Sequence, residues 1–285
     1  MSLNIDNLLL DRLDPECNYF QDLDLLCDTQ SNYHSIGDFN LKLSENKPKF
    51  SVVNHNIRSF NANLDHFLNS FSPESFPDCF IFTETWCTET DSPYIAGYEA
   101  FHSRRTSGRS GGVSIFISTK FNSRILPDIT VNINSIETCS VEVATATESI
   151  VLCGVYRPHG DTVENFRSSL DRIMNDSSIG GKTAIFAGDF NINGLSEDLD
   201  NLAFTDLMRS HHFFPVITKP TRIPTIDSQS PTLLDQIWLN RVMSYSSGIV
   251  RRIFSYLFQR PTRLEARLRY PFVTIARSSW INLKI

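Results

Sequence analysis

The stretch TAIFAGDFNIN, residues 183–193, decides how this chain is organised, because an apolar run ends there in a glycine, a carboxylate and an amide. The run Ala184–Ala187 is short and apolar, as expected for a strand inside a domain. Gly188 then allows a tight backbone turn, and Asp189 and Asn191 follow it at once. The sequence therefore predicts a strand whose end presents polar side chains to a cleft.

Three further apolar runs end in the same kind of residue. FSVVNHNIRS ends near Asn56, CFIFTETW near Glu84, and SPTLLDQIW contains Asp235. Taken singly, each acid or amide is more often a turn former or a cap than a functional group. Carboxylate and amide oxygens are also the ligands that suit Mg²⁺ or Mn²⁺. Four such run ends in one chain indicate a divalent-metal site that acts on a phosphoester.

Composition narrows the class of protein. The 285 residues are 41% hydrophobic and 20% charged, which is enough apolar material for a sizeable core and excludes a disordered chain. The net charge of -6 argues against a protein that coats nucleic acid through a basic surface. The start of the chain lacks a secretory signal and no apolar run is long enough to span a membrane. Six scattered cysteines without a C-x-x-C pair predict a reduced, intracellular protein.

Charge also divides the chain into three parts. Residues 1–48 carry nine acidic and three basic side chains, which predicts a mostly extended, solvated leader. Apolar runs separated by polar turns fill 49–250, which we expect to be the domain. Residues 251–285 hold eight basic side chains and one acidic, a net of +7 that leaves 1–250 at -13. This change predicts that 251–285 is an atypical tail, from a frame change, a truncation joint or a mispredicted exon, rather than a functional extension.

The expected strands and helices do not alternate strictly. We predict strands at Cys79 to Thr83, Gly112 to Ile117, Thr138 to Val143, Ile150 to Tyr156, Ala184 to Ala187 and Leu234 to Leu239, besides the run that starts near Lys49. We predict helices at Asn63 to Phe71, Val163 to Met174 and Leu202 to Met208. Many strands with few helices favour stacked sheets with helices outside over a doubly wound parallel sheet.

The motifs together resemble those of a known group of enzymes. NHNIRS, TETW, SGGVSIF, VYRP, GDFN and LLDQIW occur in the order and approximate spacing of the endonuclease/exonuclease/phosphatase superfamily. Their wording is most similar to the apurinic-type endonuclease domain of non-LTR retrotransposons, over about residues 50–245. This resemblance implies an α/β fold, a four-layered α/β sandwich of two mixed β-sheets flanked by helices. It also implies a Mg²⁺-dependent (or Mn²⁺-dependent) hydrolase that nicks one strand of its partner, DNA, and needs no small-molecule cofactor.

The resemblance assigns a role to each matching residue. Glu84 is expected to bind the metal, and Asn56 to help hold the metal or its water. Asp189 would orient or deprotonate the attacking water, and Asn191 would contact the scissile phosphate. Tyr156 would support the phosphate or leaving group, and Asp235 would shape the site.

One motif of the superfamily is missing from this sequence. The resemblance calls for Ser-Asp-His near the end of the fold, where the histidine stabilises the phosphate. No Asp or His follows Asp235 in this chain. Loss of the last strand as well would leave a sheet edge or core face uncovered.

Basic residues near the motifs are candidates for contacts with the DNA backbone. Such residues pair with phosphates without reading bases, although each alone could equally be a solvated side chain. The candidates are Arg58, Arg104, Arg105, Arg109 and Arg157.

Two other functions stay open at this stage. The first is a phosphatase of a small or lipid phosphate, which the same superfamily includes. The second is an inactive remnant or nucleic-acid-binding pseudoenzyme, which the missing Ser-Asp-His favours. The sequence does not define the oligomeric state, the cleavage preference, or whether the protein is nuclear or cytoplasmic.

Overall fold

The computed structural model describes residues 31–45, 50–88, 90–103, 111–224, 230–241, 245–254 and 274–283. In these residues the chain forms two mixed sheets with seven strands each. The strands are β1 Asn32–His34, β2 Phe50–Asn56, β3 Cys79–Thr83, β4 Tyr98–Ser103, β5 Val113–Ser118, β6 Asn122–Ile125, β7 Asn132–Ile133, β8 Ile136–Ala144, β9 Ser149–Tyr156, β10 Thr183–Asp189, β11 Phe214–Pro215, β12 Asp235–Leu239, β13 Tyr245–Phe254 and β14 Thr274–Leu283. The helices are α1 Ile36–Glu45, α2 Phe60–Leu68, α3 Val163–Met174 and α4 Leu199–Ser210, with single 3₁₀ turns at Pro73–Ser75 and Pro127–Ile129.

The strand order defines the two sheets. The first sheet runs β1-β13-β14-β2-β3-β5-β4, and the second runs β11-β12-β10-β9-β8-β6 with β7 also paired to β8. Each contains parallel and antiparallel pairs. In the first sheet β2 is parallel to β3, and in the second β10 is parallel to β9. The predicted four-layered sandwich of two mixed sheets flanked by helices is confirmed.

Three apolar clusters hold the four layers together. The first lies between the two sheets and includes Val52, Ile115 and Ile185. The second packs α3 and α4 on the second sheet through Phe166, Phe204 and other residues. The third packs α1 and α2 on the first sheet, where phenylalanines stack edge to face. Alternation along the strands explains this layering, since successive side chains of a strand point to opposite faces.

Helix α3 shows how local sequence and packing agree. Its buried residues include Phe166, Leu170 and Ile173, which are spaced four and three apart and so form one face. Thr162 caps the helix, because its hydroxyl accepts a hydrogen bond from the Asn165 N–H at 3.2 Å. The predicted helix over Val163 to Met174 has the same bounds in the structure.

The ends of the chain differ from the sequence-based expectation. Within the part expected to be an extended leader, residues 32–45 form β1 and α1, and β1 pairs in parallel with β13. Within the part expected to be an atypical tail, Thr274–Leu283 forms β14 between β13 and β2. Ser279, Ile281 and Leu283 are buried there. Ser279, Ile281 and Leu283 alternate along β14, and this alternation, not the charge of the segment, fits the strand to the sheet.

Two further observations concern the described residues as a whole. None of their helices combines the length and apolar character that crossing a bilayer requires. The four cysteines among them are buried, and burial raises the pKa of Cys139 and Cys153. A raised pKa keeps these thiols protonated, so they behave as small apolar core residues.

Candidate active site

The predicted site residues meet where strand ends of the two sheets lie side by side. In the second sheet Asp189, at the end of β10, lies opposite Asp235 on β12 and Tyr156 on β9. In the first sheet Asn56, at the end of β2, lies opposite Thr83, and Glu84 follows directly. The sheets face each other, so both sets of polar ends reach one cleft.

Asn56 joins the two sheets at this cleft. Its Nδ2 donates to Glu84 Oε1 at 2.6 Å and to Asp189 Oδ2 at 2.7 Å. One amide therefore fixes two carboxylates, Glu84 and Asp189, that lie 105 residues apart in the sequence. The Oδ1 of Asn56 is buried and has no partner among the described residues.

The backbone around Glu84 is held in an uncommon conformation. Glu84 has φ 51° and Trp86 has φ 57°, in the left-handed region that residues other than glycine seldom adopt. The turn is fixed by neighbouring backbone, since Trp86 N–H donates to Gly111 O at 2.9 Å and Ser59 N–H donates to Glu84 O at 2.9 Å. Such conformations persist where surrounding structure holds them, and they concentrate at functional sites.

Two glycine positions are explained by close approach. A Cβ at Gly188 would lie 1.7 Å from the carbonyl oxygen of Val155 on the neighbouring strand, so only glycine fits before Asp189. A Cβ at Gly111 would lie 2.6 Å from Glu137 Oε1. The GDFN and SGGVSIF motifs thus carry glycine because another group needs that space.

Asp189 is the centre of the polar cluster. Its side chain has no exposed surface, and Oδ2 accepts from Asn56 and from Arg222 Nη2 at 2.8 Å. Its Oδ1 accepts from the backbone N–H of Asn191 at 3.1 Å. Three donors from three chain segments therefore define the direction in which this carboxylate points.

Asp235 lies beside Asp189 and is nearly inaccessible to solvent. Burial, and then the negative charge of Asp189, raise the pKa of Asp235 to about 7, although Arg222 acts in the opposite direction. The nearest Arg222 nitrogen, Nε, is 3.9 Å from Asp235 Oδ2. Asp235 Oδ1 is buried without a partner among the described residues. Asp189 and Asp235 thus form a buried acidic pair, and Arg222 is the cation beside them.

Arg157 does not have the position expected of a residue that contacts DNA. It is only 9% exposed, and its guanidinium donates to the carbonyl oxygens of Phe190, Asn191 and Asp161 at 2.9 to 3.3 Å. In return the Asn191 side-chain NH₂ donates to Arg157 O at 2.7 Å. Because each of its three nitrogens donates to backbone, Arg157 holds the loop after β10 instead of facing solvent. The remaining N–H of the Asn191 amide is the one available to a ligand.

The other predicted arginines divide into two groups. Arg58 is partly exposed directly after β2, and its positive charge lowers the pKa of Asp235, which places it near the cleft. Arg104, Arg105 and Arg109 lie outside the described residues.

Two residues of the site were not identified as such from the sequence. Glu137 on β8 lies opposite Tyr156, is fully buried, and accepts a hydrogen bond from Gly112 N–H. Arg222 is not among the arginines predicted from the sequence to contact DNA, but it contacts Asp189 directly. Tyr156 itself is 5% exposed, between the strands that carry Glu137 and Asp189. Glu137 directly precedes the strand predicted from the sequence, Thr138 to Val143, so no sequence signal marked it as buried. Arg222 is placed by its backbone bridge to Thr232, three residues before β12.

The donor atoms at the cleft suit a hard divalent cation. Glu84 offers a carboxylate, and Asn56 offers an amide oxygen that is buried without a partner. Among the described residues there is no cluster of three or more His, Cys, Asp or Glu side chains arranged to hold a metal. Mg²⁺ needs no such cage, since it is commonly bound by one or two carboxylates together with water and substrate phosphate. The residues present therefore fit Mg²⁺ or Mn²⁺ better than a metal that requires a full set of protein ligands.

Comparison with known proteins agrees with this geometry. The profile of the Endonuclease/Exonuclease/phosphatase family matches residues 53–255. No curated protein matches the chain significantly. The chain therefore belongs to the Endonuclease/Exonuclease/phosphatase family on the strength of the family profile, which spans most of its length.

Similar solved structures share the fold. The endonuclease domain of TRAS1, a telomere-specific non-LTR retrotransposon, aligns with a TM-score of 0.58 at 14% identity, over 83% of this chain and 99% of its own. The 3′ phosphatase NExo from Neisseria, bound to a product DNA hairpin, gives 0.57 at 12%, over 82% and 99%. An AP endonuclease from Archaeoglobus fulgidus gives 0.56 at 12%, over 83% and 100%. At these identities the likeness concerns the fold alone.

Proposed function

We propose that this member of the Endonuclease/Exonuclease/phosphatase family is a divalent-metal-dependent phosphodiesterase that nicks one strand of DNA. The observation that supports this most directly is the Asn56 amide, which holds Glu84 and Asp189 together across the two sheets at 2.6 and 2.7 Å. A metal-binding carboxylate and a water-orienting carboxylate are thereby fixed on opposite sides of one cleft. The superfamily motifs quoted above and the DNA-processing proteins of the same fold support a nucleic-acid substrate.

Each residue contributes a definite part of the reaction. A divalent cation bound by Glu84 and Asn56 would neutralise charge on the phosphate and make bound water more acidic. Asp189 accepts a hydrogen bond from the attacking water and takes its proton as the oxygen bonds to phosphorus. The bond from phosphorus to the leaving strand end then breaks, and that oxygen takes a proton from solvent.

The remaining residues position the phosphate. The second N–H of the Asn191 amide donates to a phosphoryl oxygen, where negative charge builds during the reaction. Tyr156 and Asp235 flank Asp189 in the second sheet and shape the floor of the cleft. Arg58 lies at the rim and pairs with the DNA backbone.

The test is a supercoiled-plasmid nicking assay with Mg²⁺. Glu84→Gln and Asp189→Asn preserve side-chain volume but remove the carboxylate charge, and each is expected to slow nicking by roughly 10²-fold to 10⁴-fold. Glu164→Gln is the matched control, because Glu164 is an exposed acid on α3 that pairs only with Arg167 in the described residues. Nicking by the parent and the control, but not by the two site variants, is the expected result. Equal nicking by all four proteins would refute the assignment.

One observation favours a second candidate, a nucleic-acid-binding pseudoenzyme. The sequence has no Asp or His after Asp235, so the Ser-Asp-His of the superfamily is not supplied from that side. A pseudoenzyme would bind DNA with an ordinary salt dependence yet leave it uncut at every Mg²⁺ concentration. Release of inorganic phosphate from small esters, without nicking, would instead identify a phosphatase.

A further inference from the structure

The backbone of Arg222 and of the preceding residue is held in place by hydrogen bonds to the segment that leads into β12. Its N–H donates to Thr232 O, and Thr232 N–H donates back to Arg222 O, both at 2.9 Å. The preceding Thr221 accepts from the N–H groups of Leu234 and Asp235 through its hydroxyl, at 3.2 and 3.1 Å. Arg222 is thus tied to the start of β12, the strand that carries Asp235.

The segment before Arg222 is held by the start of the described chain. Ser31 Oγ donates to Val216 O and accepts from Thr218 N–H, both at 3.1 Å. Tyr33 Oη donates to Pro220 O at 3.1 Å. A side chain on so well supported a loop has little freedom to leave the cleft, and this pre-organisation is what binding of a ligand requires.

The guanidinium of Arg222 is only partly used by the protein. Nη2 contacts Asp189 Oδ2 at 2.8 Å, whereas Nε is 3.9 Å from Asp235 Oδ2, beyond hydrogen-bond distance. A guanidinium has five N–H donors, and among the described residues Asp189 Oδ2 is the one acceptor of the Arg222 side chain. One third of the side chain, 33%, is exposed. Donors of Arg222 therefore remain that have no acceptor among the described residues.

Arg157 provides a comparison within the same site. It is 9% exposed, and each of its three nitrogens donates to a backbone carbonyl, which is the pattern of an arginine with a structural role. Arg222 lacks that pattern, since its one close partner within the described ranges is a single carboxylate oxygen. A cation next to two buried carboxylates, with donors left over, suits a ligand with several anionic oxygens, and phosphate has that chemistry.

We propose that Arg222 is a catalytic residue that contacts a non-bridging oxygen of the scissile phosphate while it holds Asp189. This rests on the proposed function, because it assigns the phosphate of that same cleft to a residue outside the superfamily motifs recognised in the sequence. Arg222 stays protonated throughout, so it transfers no proton and acts by stabilising negative charge. It gives the cleft a cationic donor although no histidine follows Asp235 in the sequence.

The experiment uses Arg222→Gln and Arg222→Lys, with Arg241→Gln as the matched control. Arg241 is 51% exposed after the far end of β12 and pairs with Glu148 at 2.9 Å, so its loss removes the same charge away from the cleft. Binding of a short DNA duplex is measured in EDTA over a series of salt concentrations, and thermal melts verify folding. Single-turnover nicking is then measured in Mg²⁺.

We expect Arg222→Gln to reduce the slope of log K against log[salt] by about one and the nicking rate by roughly 10²-fold to 10³-fold. Arg222→Lys keeps the slope but loses at least about tenfold in rate, because an ammonium lacks the planar fork. A slope for Arg222→Gln equal to that of the parent and of Arg241→Gln would overturn the proposal, and a structural role that only orders Asp189 predicts that result. Should Arg222→Gln fail to fold, a nicking rate for Arg222→Lys equal to the parent rate would overturn it.

The two proposals fail in different ways. If the parent does not nick DNA but Arg222→Gln still lowers the salt slope, the phosphate contact stands and the catalytic assignment fails with the proposed function. If the parent nicks DNA and the slope is unchanged in Arg222→Gln, only the role of Arg222 is overturned.

Discussion

Replacing Asp235 with Asn should change the free energy of unfolding, relative to the parent, in a pH-dependent way. The difference, variant minus parent, should be larger at neutral pH than at acid pH. Burial and the neighbouring Asp189 raise the pKa of Asp235 from 3.8 to about 7. Between these two values the native state keeps a proton that the unfolded state has already lost. The contribution of Asp235 to the free energy of unfolding of the parent therefore falls as the pH rises through this window and levels off above it.

The pKa change sets the size of the effect. A rise of about three units, at about 1.4 kcal/mol each, gives a difference between the variant and the parent that grows by up to about 4 kcal/mol from pH 4 to pH 8. Asparagine has nearly the same volume and cannot ionise, so the packing around β12 is preserved. For a domain of this size such a change corresponds to roughly 8 to 16 °C in melting temperature.

Urea unfolding of both proteins in EDTA at several pH values measures this difference directly. Subtracting the two curves removes the contribution of every other titrating group that the substitution leaves alone. Glu164→Gln serves as the charge-matched control, since Glu164 lies on the exposed face of α3. A difference that is independent of pH, or that shrinks as the pH rises, would refute the reasoning from burial and like charge.

Other substitutions test separate parts of the structure. Gly188→Ala should destabilise the protein by at least about 2 kcal/mol in urea unfolding, because its Cβ would lie 1.7 Å from a neighbouring carbonyl oxygen, while Gly160→Ala, which meets nothing within 4 Å, should not. Thr162→Ala removes the cap of α3 and should lower the free energy of unfolding by about 1 kcal/mol, and an unchanged urea midpoint would contradict the capping role. Asn56→Ala should weaken Mn²⁺ binding at least about tenfold in calorimetric titration, and parent-like affinity would mean that its amide oxygen is not a ligand.

Much of the layered fold was predictable because its signals are local. The six strands predicted from Cys79 onward all occur, with bounds that shift by a few residues, because apolar runs between turn residues indicate buried strands. Helix α3 was predicted with its full range because a threonine cap and an apolar face coincide. The polar residues at the strand ends, such as Asn56 and Asp189, were predictable because they directly follow or end an apolar run in the sequence.

What the sequence did not reveal depends on long-range register. Helix α1 buries only Phe39 and Leu43 among its described side chains, and it lies in an acidic stretch, so its pattern was too weak to identify. Strand β14 lies in a basic segment whose charge suggested a tail, although its place is fixed by pairing with β13 and β2. Glu137 lies opposite Tyr156 through the pairing of β8 with β9, and Arg222 is placed by its bridge to Thr232. No local pattern specifies either pairing.

The position of β14 determines when the first sheet can form. This strand separates β2 from β13, and Asn54 on β2 donates to Ser279 Oγ at 3.3 Å, a partner 225 positions further along the chain. During synthesis β2 therefore emerges from the ribosome long before its neighbour exists, and until then it has an open edge that other chains could pair with. Folding of the first sheet must wait for residues 274–283, so the order of translation, and not only local helix or hairpin formation, sets its pace.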